Sequence, residues 1–364
     1  MTIIYLYRSL AAFGGVERIF IDKANYLAEH YGYHVYIITW EQGGHSIVYP
    51  LSPKVTHIDW GILFYRQYQY GLFKRMFMQW KMEKEFFKKL SNFVHTTQAD
   101  IVIGASCEFT TMAGMDLLQR KTHTILETHS MRTSIEKNNP PAGNLLMRRA
   151  FERRDKKLHQ YIKHMSAFVT LTHNDAKDWS DITPQARIIP NMLHRYPAEI
   201  SPDKKTQKRI ITAGRLVEQK GYDLLLDAWS KVHQKHPEWI LDIYGEGEDK
   251  NMLLEKRKNL ALENSVLFHP PTPDIYQKYM DSDFYVMSSR YEGFGLVLAE
   301  AMSCGIPCVS FDCPHGPSDI IKDHEDGLLV EKENIKELAD KICYLIENCL
   351  LYTSPSPRDT ERSR

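Results

Sequence analysis

Arg215 and Lys220 stand five residues apart in Ala213-Gly-Arg-Leu-Val-Glu-Gln-Lys-Gly-Tyr222. A glycine turn there is followed by two cations ahead of a helical pattern. A guanidinium grips phosphate oxygens as a planar fork and an ammonium adds a point charge, so the pair suits an anionic ligand. A second stretch, Ser289-Arg-Tyr-Glu-Gly-Phe-Gly-Leu-Val-Leu-Ala-Glu-Ala301, puts Glu292 in a glycine-bearing loop and Glu300 eight residues on, inside an apolar helical pattern. A carboxylate can accept two hydroxyl hydrogens. The backbone N–H groups of Phe294, Gly295 and Leu296, at the start of that helix, can hold a phosphate. Core packing accounts for Leu296, Val297, Leu298 and Ala301 but not for a glutamate among them. Weaker signals are Gly14-Gly15, where a ligand can approach the backbone at a helix start, Gly245-Glu-Gly247, and His129 in Glu127-Thr-His-Ser130. A lone histidine can act chemically or simply pack.

These residues need strands to deliver them. Short β-rich runs at 3–7, 34–39, 101–104, 124–127, 168–171 and 188–189 alternate with helical spacings such as Val16, Ile19, Phe20, Lys23, Ala24 and Leu27. A polar, proline-marked stretch follows Asn191 and reads as a linker. A second series then begins, with strands at 210–213, 241–244, 266–268, 284–287 and 308–311. Apolar runs too continuous for a one-faced sheet predict parallel βαβ units covered on both sides. The expected fold is therefore α/β, with two doubly wound domains at 1–195 and 196–349. Ligands bind at the carboxyl ends of such strands, so the loops after Tyr7, Glu127, Ala213, Tyr244 and Ser288 are expected to converge on a cleft. Residues 350–364 lack periodicity and are expected to be a disordered or non-native tail.

A length of 364 residues matches two domains, and 43% apolar with 25% charged residues excludes a disordered chain. The 46 basic residues balance the 46 acidic ones, which argues against a nucleic-acid binder. The balance is not uniform. Residues 1–195 carry 25 Lys and Arg against 17 Asp and Glu, and the remainder 21 against 29, so the first half is the one suited to an anionic partner. Six cysteines in so long a chain exclude a disulfide scaffold. Cys304, Cys308, Cys313 and His315 lack paired zinc spacing and read as buried structural positions. With no long apolar run and a first strand beginning directly at the N-terminus, the expected location is cytoplasmic. A dinucleotide fingerprint fails at both Gly14-Gly15 and Gly245-Glu-Gly247, and no phosphate-binding P-loop occurs. Asp281-Ser-Asp283 precedes its strand and reads as structural.

The spacing of Glu292 and Glu300 around Gly-Phe-Gly resembles the E-x7-E motif of family 4 retaining glycosyltransferases. The likeness runs to about residue 349 through Gly14-Gly15, Gly214-Arg215 with Lys220-Gly221, Tyr244-Gly-Glu-Gly247, Ala301-Met302 with Gly305-Ile-Pro307, and Asp326-Gly-Leu-Leu-Val330. It implies a GT-B fold of two Rossmann-like domains, the first on the acceptor side and the second holding the nucleotide-sugar donor. It implies that Arg215 and Lys220 hold the donor diphosphate and that Glu300 binds the ribose. Glu292, with the backbone at Phe294 and Gly295, would position the sugar. Gly14 and Gly15 would approach the diphosphate, and His129 would lie near the transferred sugar. No cofactor or metal is implied. The chain departs from the family pattern at Asp319, where glutamate is usual.

The expected function is transfer of a sugar, with retention, from a nucleotide-diphosphate donor (uridine preferred) to a glycan or lipid-linked acceptor in cell-surface polysaccharide assembly. The alternatives are a nucleotide-sugar epimerase of the same architecture and a non-catalytic nucleotide-sugar-binding or membrane-scaffold protein. Residues 61–90 hold seven Lys and Arg against two Glu, among Phe64, Tyr65, Tyr68, Tyr70, Leu72, Phe73, Met76, Phe77, Met78 and Trp80. That pattern fits either a helix lying on an anionic membrane or a core-facing helix with a basic outer side.

Overall fold

The computed structural model describes residues 1–12, 14–105, 107–118, 122–132, 145–195, 197 and 207–348. The tail from residue 350, most of the stretch after Asn191, and Phe13 lie outside the described residues. The chain divides into two compact units between His194 and Arg195.

The first unit runs β1 (Thr2–Leu6), α1 (Gly15–His30), β2 (His34–Thr39), β3 (Val55–Asp59), a 3-10 turn (Phe64–Gln69), α2 (Leu72–Thr97), β4 (Ile101–Gly104), α3 (Phe109–Asp116), β5 (His123–Glu127), α4 (Leu145–His164), β6 (Ala167–Thr170), α5 (His173–Asp178) and β7 (Arg187–Ile188). The second runs β8 (Arg209–Ala213), a 3-10 turn (Glu218–Lys220), α6 (Tyr222–Lys235), β9 (Ile240–Tyr244), α7 (Lys250–Asn259), β10 (Val266–His269), α8 (Ile275–Met280), β11 (Phe284–Met287), α9 (Leu296–Ser303), β12 (Cys308–Asp312), α10 (Pro317–Ile320), β13 (Gly327–Glu331) and α11 (Ile335–Glu347).

Both sheets are parallel, ordered β3-β2-β1-β4-β5-β6-β7 and β10-β9-β8-β11-β12-β13. Each is buried on both faces, and strand alternation assigns the sides. Ile3 and Tyr5 pack with Phe20 and Ala24 of α1, whereas Ile4 and Leu6 pack with Met82, Phe86, Leu90 and Val94 of α2. In the second unit Ile210, Phe284 and Val286 face Leu225 and Trp229, while Ile211, Tyr285 and Met287 face Leu298 and Ala301. Strands β3 and β13 are additions to the sequence reading. Both are edge strands, and β3 (Val-Thr-His-Ile-Asp) has too few apolar residues to stand out.

Helix α2 bears out the core-facing expectation in its second half and exposes apolar side chains in its first. Met82, Phe86, Leu90 and Val94, one face at four-residue spacing, enter the core. Leu72, Phe73, Met76, Phe77 and Trp80, on the preceding turns, are exposed, Phe73 by 90%. Among the described residues no helix is long and apolar enough to cross a membrane.

Candidate active site at the strand-order reversals

In the second sheet the order reverses between β8 and β11, and the loops leaving their carboxyl ends carry the residues singled out above. Several hydrogen bonds bind these loops together. The Arg290 amide donates to the Gln219 carbonyl at 2.8 Å, Gln219 Nε2 donates to the Tyr291 carbonyl at 3.0 Å, and Arg290 donates to the Glu218 carbonyl at 2.8 Å. The Arg290 guanidinium also forks onto both carboxylate oxygens of Asp223 at 2.8 and 2.7 Å, and this pairing holds the Asp223 carboxyl below its ordinary range despite the burial that opposes it. Neither Arg290 nor Asp223 was a site candidate in the sequence. The available signal was their opposite charge, each lying in or just after a loop that follows a strand.

This clamp sets Lys220 against Glu292. Lys220 Nζ donates to Glu292 Oε1 at 2.6 Å, with side-chain exposures of only 16% and 7%. Ser289 Oγ donates to the same oxygen at 2.6 Å. One cation and one carboxylate are therefore paired with each other in a largely buried place. Cys313 lies close enough to feel both charges, but burial dominates and pushes its thiol up to about 12, so it is not a nucleophile at neutral pH. Arg215 differs from Lys220: it is exposed and its side chain makes no ion pair or hydrogen bond among the described residues, leaving a guanidinium available to an anion.

Glycines bring the neighbouring backbones this close. A Cβ at Gly221, whose φ is +62°, would stand 2.0 Å from the Ser288 carbonyl oxygen, and one at Gly245 would stand 1.9 Å from that of Gly214. Gly245 therefore has a packing reason to be glycine, whatever else it does. Gly295, with φ +88°, opens α9, whose first turn has no side-chain cap and no acidic residue. Phe294 is buried, and so is Glu300 on α9. Burial first, then the Glu300 charge, raises the Tyr279 hydroxyl pKa far above its ordinary value.

In the first unit Gly14 caps α1 with an extended backbone, φ −127°, and Gly15 is its first residue. His129 follows β5. Its ring is 3% exposed, with Nε2 3.5 Å from Glu127 Oε2, and no other partner for either ring nitrogen occurs among the described residues. Lys23 of α1 donates to both Glu127 oxygens at 2.8 and 2.7 Å. Burial works against ionising Glu127, but His129 and Lys23 beside it bring the carboxyl down to about 2. Lys23 escaped the sequence reading because its helical spacing put it among apolar residues.

The metal-like patterns resolve into structural roles. Asp283 accepts the amides of Gln207 and Arg209 at 3.0 and 2.9 Å, securing the start of β8. Cys304, Cys308 and Cys313 are free and buried. No cluster of His, Cys, Asp or Glu suited to a metal ion occurs among the described residues.

Comparison with known proteins gives the family. The signature described as glycosyl transferases group 1 matches residues 198–359. An uncharacterized glycosyltransferase of Haemophilus influenzae is 30% identical over 366 residues, 97% of this chain and 93% of that relative. The amylovoran biosynthesis glycosyltransferase AmsD of Erwinia amylovora is 42% identical over 156 residues, 43% of this chain and 42% of AmsD. Among solved structures, a variant of S. aureus TarM with fondaparinux, alpha-GlcNAc-glycerol and UDP superposes with TM-score 0.74 at 17% identity, covering 99% of this chain and 96% of TarM. Anabaena HepE with UDP and glucose gives 0.73 at 16%, covering 99% and 95%. The chain belongs to the group 1 glycosyltransferases, and its two parallel-sheet units are of the GT-B class.

Proposed function

We propose that this glycosyltransferase is a family 4 enzyme moving a sugar, with retention, from a UDP-sugar to a glycan or lipid-linked acceptor during polysaccharide assembly. The observation that carries the reading is the second unit's loop pair. Arg215, unpaired and exposed, stands in the same loop as a Lys220 held against Glu292, at the edge where parallel sheets bind ligands. The names of AmsD and the UDP bound to TarM and HepE support the class of donor and product.

Arg215 and Lys220 then neutralise the diphosphate as the bond from the sugar C1 to the phosphate oxygen breaks. Fixed cations at a growing charge are the largest stabilisation open to such a site. The acceptor oxygen bonds to C1 on the same face, and its proton passes to the departing phosphate oxygen. Glu292 positions both Lys220 and the donor sugar. Glu300 binds the ribose, and Gly245 and the backbone at Phe294, Gly295 and Leu296 line the donor. In the first unit, proposed as the acceptor side, Gly14 and Gly15 admit the diphosphate and His129 lies near the transferred sugar. The first turns of α2 rest on an anionic membrane surface. Their exposed apolar side chains lie among the exposed Lys74, Lys81 and Lys84, and no acidic residue occurs between 61 and 82.

The test is a thermal-shift panel of nucleotide sugars on the full chain, followed by NMR of the product of the best donor. UDP-sugars are expected to give the largest shift and the product to keep the donor's anomeric configuration. Inversion, or release of a free epimer, would sink the reading.

A further inference from the structure

We propose that Lys23 is a positioning residue for His129: by holding the Glu127 carboxylate it aligns the ring with its Nε2 hydrogen toward Glu127 and its Nδ1 lone pair left to accept a ligand hydroxyl. That the ligand is a sugar rests on the transferase reading above; the alignment of the ring does not. The trio spans two elements. Glu127 ends β5 and His129 follows two residues on, while Lys23 lies on α1 beside Phe20 and Ala24, both wholly buried against the sheet. That packing delivers the Lys23 ammonium to the end of β5 rather than to open solvent, its side chain 24% exposed and that of Glu127 8%.

Distance ranks the contacts. Lys23 Nζ reaches the two carboxylate oxygens at 2.8 and 2.7 Å, and His129 Nε2 reaches one of them at 3.5 Å. Coulomb attraction falls with separation and is strong where burial lowers the dielectric, so the lysine supplies the counter-charge. The pair is then neutral as a whole, and a further cation enclosed beside it would have no anion of its own. Glu127 therefore offers His129 a hydrogen-bond acceptor rather than a counter-ion. A carboxylate facing Nε2 places the hydrogen of the neutral ring there and the lone pair on Nδ1. Nδ1 is buried with no partner among the described residues, an unspent acceptor that a ligand O–H would satisfy.

The other titratable groups nearby leave this alignment intact. Glu127, whose carboxyl lies at about 2, stays ionised. Tyr5 of β1 feels the Glu127 charge, but burial first and then that charge raise its hydroxyl far above the ordinary range, so it stays uncharged. Beside Thr128, the residue between Glu127 and His129, lie Cys107 and Asp175. Burial pushes the Cys107 thiol up to about 12 and the Asp175 carboxyl up to about 6. The titration of Asp175 is common to wild type and Lys23 variants, so a difference between them reads Lys23.

The test is nitrogen-15 NMR of the histidine rings in the full chain, the His129 signals being identified by their loss in His129→Gln. The wild-type ring, when neutral, is expected to carry its hydrogen on Nε2. Lys23→Met hands the whole Glu127 charge to the ring, so the ring's titration midpoint is expected to rise by about one pH unit over wild type. Lys23→Arg is expected to stay with wild type, and Lys23→Met combined with Glu127→Gln to lose the rise. Lost packing alone would not order the midpoints in this way, and the double variant, which buries no unpaired charge, serves if Lys23→Met fails to fold. A wild-type ring protonated at Nδ1 would overturn the proposal. So would a midpoint that Lys23→Met leaves unmoved, one that rises equally in the double variant, or a Lys23→Arg that behaves as Lys23→Met. The expected tautomer and midpoints in a chain that transfers sugar from no donor would instead remove the transferase reading and leave the alignment standing.

Discussion

Lys220 and Arg215 are both cations in one loop, yet their surroundings give them different physical duties. Arg215→Ala removes an exposed, unpaired guanidinium. Turnover is expected to fall by about two to three orders of magnitude, in line with losing one preorganised charge, while the melting curve stays where it was. Lys220→Ala should cost comparable activity and stability as well, because it leaves the nearly buried Glu292 carboxyl without its cationic partner, with Ser289 its remaining side-chain donor among the described residues. The double variant Lys220→Ala with Glu292→Gln is expected to regain melting temperature without regaining turnover. Scanning calorimetry beside a turnover assay checks this contrast. Equal melting of the two single variants would mean the ion pair does not matter to the fold. The residue types and spacing were plain in the sequence. That the lysine and the glutamate spend part of their charge on each other was not, because 72 residues separate them along the chain.

Between elements, the clamp from the β11 loop to the β8 loop and the start of α6 decides where Lys220 sits. Arg290 forks onto Asp223 and reaches the Glu218 carbonyl, so it positions Lys220 rather than meeting substrate. Arg290→Met is expected to lower kcat about tenfold, with a smaller change in donor KM. Arg290→Lys should restore little, since an ammonium cannot reproduce a two-point fork. Full activity in Arg290→Met would show that the two loops keep their register without the clamp. The strand and helix pattern was legible for most elements, because buried parallel strands read as apolar runs. It failed at β3 and β13, edge strands whose character depends on a neighbour rather than on their own composition. The 3-10 turns were also missed, being too short to carry a period.

For the molecule as a whole, the surface of the first unit carries the remaining prediction. The first turns of α2 expose Leu72, Phe73, Met76, Phe77 and Trp80, a continuous apolar strip among cations. Phe73→Ser with Phe77→Ser is expected to reduce sedimentation with vesicles rich in anionic lipid by about tenfold or more, given the transfer energy of two aromatic side chains. Raised salt should weaken wild-type binding further. Vesicle binding that ignores both the lipid charge and these substitutions would count against a membrane face.

From sequence alone came the α/β class, two doubly wound units, most strands, and the residue types at the carboxyl ends of β8 and β11. Local periodicity and loop chemistry encode those features within windows of a few residues. Tertiary structure alone decided which charges are spent and which remain available. It paired Lys220 with Glu292, set the buried His129 ring beside Glu127, and turned half of α2 inward and the other half to solvent. Pairing and burial arise from contacts between segments far apart along the chain, and no local pattern records them.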